Sequence, residues 1–104
     1  MQISEILDQV YDAESRGQSR ESSQILLRYI IDNTKNDNTT AIDELLFKVN
    51  LDFLGKHALC GIVRFTAAYR HCLVHWSETY RCVCMILKGR GLNTDRLLVG
   101  IKND

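Results

Sequence analysis

The stretch from Leu54 to Leu73, LGKHALCGIVRFTAAYRHCL, leaves the chain little choice of architecture. At about 100° per residue, Leu54, Ala58, Ile62, Phe65, Tyr69 and Cys72 fall on one side of a helix, with Gly61 and Ala68 beside them. Leu59, Cys60, Val63 and Ala67 carry apolar character around much of the remaining circumference, so that Lys56, His57, Arg64, Arg70 and His71 are left for water or partners. A helix this apolar belongs at the centre of a bundle. It is not a membrane span, because three cations interrupt it and a span needs about 20 predominantly apolar residues.

The flanking sequence fits the same architecture. There is no proline anywhere in the 104 residues, so nothing forbids continuous helices. The apolar and charged fractions, 45% and 25%, are those of an ordinary globular chain. We therefore expect an all-α fold in a single domain, 1–104: a compact bundle of about five helices, near 3–16, 19–33, 40–49, 53–71 and 77–89, with a short C-terminal helix near 94–99. Ile3, Ile6, Leu7, Val10 and Tyr11 have the spacing of an amphipathic helix, as do Ile25, Leu26, Tyr29 and Ile30 and then Ile42, Leu45, Leu46 and Val49. Trp76, Tyr80, Val83, Cys84 and Leu87 define the next stripe.

Punctuation agrees with the periodicity. Gly17 and Gly91 suit the left-handed position just past a helix end, and Leu92 is the apolar residue that closes such a cap. The run Asn33–Thr40, free of apolar side chains, is the clearest loop. Ser19, Thr39 or Thr40, Asp52, and Asn93 or Thr94 are expected N-caps, and the last residues, 102–104, are expected to fray. The expected core is Leu7, Val10, Ile30, Leu45, Leu46, Ile62, Phe65, Tyr69, Trp76, Tyr80 and Leu87.

Each constellation that might carry chemistry has a plainer explanation. His71 and His75 are four apart, with Cys82 and Cys84 close behind, which invites a zinc reading. Yet Cys82 and Cys84 on one helix point in well-separated directions, and the paired-knuckle spacing is missing. His57 and Cys60 could pair a base with a thiol, but no oxyanion site or nucleophile elbow accompanies them. Gly89 and Gly91 terminate a helix better than they cradle a phosphate, and Asp43 with Glu44 complements a helix dipole. We expect no enzyme, no cofactor and no metal.

Charge is the remaining signal. The net charge is zero, but residues 1–53 hold ten acidic against five basic side chains and residues 54–104 three against eight. In addition Leu27, Ile31, Leu59, Val63, Met85 and Ile86 lie off their stripes, more than a small bundle can wrap. These features suggest a non-catalytic interaction or regulatory module, an adaptor or inhibitor that occupies the surface of a protein partner. Its expected contact residues are Arg64, Arg70, Arg81, Lys88, Arg90, Ile31, Val63 and Ile86. The acidic half of one copy facing the basic half of another would make it a homodimer. The alternative is a nucleic-acid-binding regulator using the basic C-terminal half, although the cations are spread over several helix faces. The acidic opening lacks a secretory h-region, which points to the cytoplasm, where four cysteines stay reduced.

Overall fold

In the computed structural model, which describes residues 2–101, six α-helices follow one another without a strand among the described residues. They are α1 (Ile3–Ser15), α2 (Ser19–Lys35), α3 (Thr39–Lys48), α4 (Lys56–Thr66), α5 (Trp76–Gly89) and the single-turn α6 (Thr94–Leu97). Two 3-10 turns flank α4, at Leu51–Phe53 and Ala67–Cys72. The expected fraying at 102–104 lies outside the described residues.

The first three helices are joined by the same device. After α1, Gly17 takes φ +74° while its N–H donates to the Glu14 carbonyl and the Gln18 N–H to the Ala13 carbonyl, so two orphan carbonyls are satisfied in one turn. After α2, Asp37 plays the glycine's part at φ 54°, with Asn38 donating back to Asn33. Gly91 repeats the motif after α5, and Leu92 closes it onto Leu87. The starts differ from expectation. Gln18 and Gly55 are the caps of α2 and α4, and neither makes a side-chain cap bond, while Asn38 caps α3 by accepting from the Ala41 N–H. Asn93 caps α6 as expected, accepting from the Arg96 N–H.

The central helix is real but shorter than the 53–71 read from its pattern. Thr66 ends it: its buried hydroxyl donates to the Ile62 carbonyl at 2.6 Å and accepts the Trp76 indole N–H at 2.9 Å. Back-bonding of this kind loosens the helical ladder, and the chain continues as the tighter 3-10 turn to Cys72. Packing surrounds α4. It lies against α2 on one side and α5 on the other, in a molecule 36 × 34 × 18 Å, about two helix layers thick.

That sandwich decides burial. Ala58, Leu59, Cys60, Gly61, Ile62, Val63 and Thr66 are all buried. Leu59 and Val63, expected off the stripe, are therefore core, whereas Phe65, Tyr69 and Tyr80 are only half-buried and pack on its margin. Leu7, Val10, Ile30, Leu45, Leu46, Ile62, Trp76 and Leu87 are core as expected. Where α2 and α4 cross, Gly61 is needed for closeness: a Cβ there would stand 2.6 Å from the Ser23 hydroxyl and 2.9 Å from the Phe65 ring.

Glu14 ties three elements at their junction. One of its carboxylate oxygens accepts from the hydroxyls of Ser19 and Ser22 and from the Gly55 N–H, at 3.2, 2.8 and 2.9 Å. It thereby holds the start of α4 against the α1–α2 turn. No helix among the described residues is long and apolar enough to cross a membrane.

Candidate functional site

On α3 the stripe Ile42, Leu45 and Leu46 points inward, which turns Phe47 outward at 68% exposure. On α5 the inward set is Trp76, Thr79, Val83 and Leu87, leaving Cys82 half-buried at the edge and Met85 66% exposed. The first 3-10 turn runs between them. Two adjoining depressions of about 290 and 390 Å³ result, sharing Val49, Leu51 and Cys82 as a common floor, with Phe47 at one end and Met85 at the other.

Long-range bonds fix the walls of this groove. The Asp43 carboxylate accepts the His75 N–H at 2.9 Å, pinning the start of α5 to α3, and the Phe47 ring lies 4.9 Å from the His75 ring. Arg90 reaches back from the end of α5 and donates to the carbonyls of Leu54 at 2.7 Å and Asp52 at 3.0 Å. The Tyr11 hydroxyl accepts the Asn50 N–H at 2.8 Å, and its ring meets Phe53 edge-on at 5.4 Å. The groove is thus held open by contacts within the chain itself. Its charge is mixed: the acidic Glu78 and Asp52 line it, while Arg81 and Lys88 sit four before and three after Met85, exposed on the same side of α5.

The residues expected to contact a partner do not form one surface. Of these only the half-buried Ile86 lines the groove, while Arg81 and Lys88 are exposed on α5 to either side of Met85 in sequence. Arg90 is spent as the clamp just described. Val63 is fully buried, so it cannot meet a partner, because α2 and α5 cover the side of α4 that the periodicity left open. Ile31, 41% exposed, lies beside Phe65 and Tyr69 in a separate depression. Arg64 donates to the Leu97 carbonyl, and the half-buried Arg70 donates to the Ala67 carbonyl at 2.8 Å. Phe47 and Val74, the latter 83% exposed and next in chain to His75, escaped the sequence reading. The signal for Phe47 was there: it is the large apolar residue of α3 outside the Ile42, Leu45, Leu46, Val49 stripe.

The reactive side chains are dispersed. His71 is exposed in the second 3-10 turn, His75 caps α5, and Cys82 and Cys84 stand on different sides of that helix. Among the described residues no group of three or more His, Cys, Asp or Glu could hold a metal ion. All four cysteines are free thiols. Burial pushes the Cys60 thiol above its ordinary range, against the smaller pull of Arg64 and Lys56. Desolvation, helped by Arg20 and Lys56, holds the His57 imidazole below its own ordinary value. Both directions oppose a thiolate–imidazolium pair, which needs the reverse.

Fold and groove together define a small all-α bundle with a preformed apolar cleft. No family model, no curated protein and no solved structure matches the chain.

Proposed function

We propose that this chain is a non-catalytic interaction module that captures a helix of a partner protein in the groove between α3 and α5, acting as an adaptor or inhibitor by occupying that helix. One observation carries the reading: Phe47 and Met85 stand exposed at the two ends of a cleft whose walls are held by Asp43, Arg90 and Tyr11. Large apolar side chains beside a rigid cleft are the usual anchors of helix-in-groove recognition. Arg81 and Lys88 beside Met85 favour acidic residues on the outer flank of a partner helix, while Glu78 and Asp52 in the lining disfavour acid on the apolar stripe laid into the groove. Four free thiols suit a cytoplasmic setting.

The test uses model peptides and amide NMR of the isotope-labelled protein. A Leu-striped helix with Glu on one flank should shift Phe47, Leu51, Cys82 and Met85, and its Lys-flanked counterpart should bind at least several-fold more weakly. Equal responses to both, or shifts spread over α1 and α2, would contradict the assignment.

A second copy is the other occupant with support. Glu5, Asp8 and Asp12 are exposed along α1 and offer a negative face to the α5 cations, although α1 buries its apolar side within its own bundle. Light scattering at micromolar concentration decides, since a mass near 11.9 kDa at every salt concentration refutes the homodimer. Nucleic-acid binding draws less support, because Arg70 and Arg90 are engaged with backbone carbonyls and Arg64 lines a depression that neither of them shares. Affinity for random duplex DNA falling steeply with salt would favour it instead.

A further inference from the structure

Beside the α2–α4 crossing, a cleft of about 480 Å³ opens that is separate from the α3–α5 groove. Three cationic side chains line it, Arg20 from α2 and Lys56 and Arg64 from α4, and none of its lining residues is a carboxylate. Gln24 adds an amide and the half-buried Phe65 an aromatic wall. A chain of zero net charge has no general excess of cations to distribute. Their convergence here, at three exposed positions around one concavity, therefore marks a local positive field.

Geometry prepares the cations as well as gathering them. The Arg20 guanidinium donates through Nε to His57 Nε2 at 3.4 Å, so the imidazole serves as a neutral acceptor that orients the fork without consuming charge. Arg64 is steadied through one terminal nitrogen by the carbonyl of Leu97, which also lines the cleft. Glu14, the acidic group that acts on His57, is occupied by Ser19, Ser22 and the Gly55 N–H. No carboxylate is hydrogen-bonded to Arg20 or Arg64 in the described residues, so the guanidinium edges keep donors for a ligand.

We propose that the α2–α4 cleft binds a phosphomonoester of low molecular weight, its phosphate held by Arg20, Lys56 and Arg64 and its organic body laid against Phe65. A forked guanidinium pair with a point-charge lysine matches a dianionic phosphate better than a single carboxylate. The cleft is also of the size that ordinarily holds an organic ligand, about 300–1,000 Å³, and larger than a bare inorganic anion needs.

Phenyl phosphate is the probe, followed by amide NMR of the full chain, with inorganic phosphate and phenol as the two halves of the ligand. Phenyl phosphate should give saturable shifts at Arg20, Gln24, Lys56, His57 and Arg64, with inorganic phosphate at least fivefold weaker and phenol without effect at the same concentration. Arg20→Gln and Lys56→Gln, both at exposed positions, should each weaken binding about tenfold while circular dichroism stays unchanged. The His57 ring gives a second readout: with Arg20, Lys56, Arg64 and Glu14 around it, filling the cleft with a dianion should move its titration upward. Absence of saturation at 10 mM phenyl phosphate overturns the proposal, and so do shifts that centre on Arg81 and Lys88. Equal affinity for inorganic phosphate overturns the organic body, and undiminished binding by both variants overturns the assignment of the cations.

Discussion

Replacing Thr66 by valine probes the joint on which the central helix ends. The two side chains are nearly equal in volume, so the change removes a hydroxyl and leaves packing in place. That hydroxyl is wholly buried and accepts the indole N–H of Trp76, itself 1% exposed, at 2.9 Å. Valine leaves the donor without an acceptor and without water, which costs about 1–3 kcal/mol. A mid-range loss of about 2 kcal/mol lowers the melting temperature of a domain this size by roughly 10 °C and the urea midpoint by about 1 M. Thr66→Ser keeps the hydroxyl and loses one methyl group, for about 1 kcal/mol. Trp76 is the chain's single tryptophan, so fluorescence-monitored urea unfolding reports on this site directly. Valine within about 0.5 kcal/mol of the parent, or serine more damaging than valine, would refute the claim that this bond terminates α4.

Arg90→Ala should release the Leu51–Phe53 turn, costing about 1 kcal/mol globally and speeding amide exchange at Phe53 and Leu54 by more than tenfold. Glu14→Ala removes the acceptor of two hydroxyls and the Gly55 N–H, and a loss of about 2 kcal/mol by thermal unfolding is expected, with neutrality arguing against the junction. Alkylation followed by mass spectrometry should label exposed Cys72 first and buried Cys60 last, since burial raises its thiol and lowers the thiolate present at neutral pH. The His57 ring of the unliganded protein should titrate below the ordinary histidine value. Because the unfolded chain takes up that proton first, this residue's share of stability is present above the ordinary value and is lost as pH falls through it.

Periodicity located most of the fold because each helix except α4 has one buried side. Helices expected at 3–16 and 77–89 run Ile3–Ser15 and Trp76–Gly89, and the glycine stops at Gly17 and Gly91 have the predicted hand. The central helix behaved otherwise. A threonine that can back-bond to Ile62 does not by itself end a helix, and the partner that fixes its hydroxyl is an indole ten residues later in the chain. A helix covered by both α2 and α5 also has no stripe for a pattern to report, which is why Val63 reads as surplus in sequence and is core in space. Of the site, Met85, Ile86, Arg81 and Lys88 were legible as off-stripe or charged positions of one helix. Phe47 was legible as an off-stripe position of α3, but its place opposite α5 was not, because that follows from the tertiary contacts of Asp43 and Phe47 with His75. The α2–α4 cleft was equally invisible, its cations being drawn from positions 20, 56 and 64.

Site-specific photo-crosslinking in native host extract tests the docking groove most directly. A photoreactive residue placed at Met85 should give one dominant adduct, lost on Phe47→Asp or on charge reversal at Arg81, while the same probe at exposed Arg28 on α2 should give none. These positions are exposed, so folding should be unaffected by the substitutions, within about 0.5 kcal/mol. Adducts that are equal at Met85 and Arg28, or that survive both substitutions, would contradict a partner helix seated between α3 and α5.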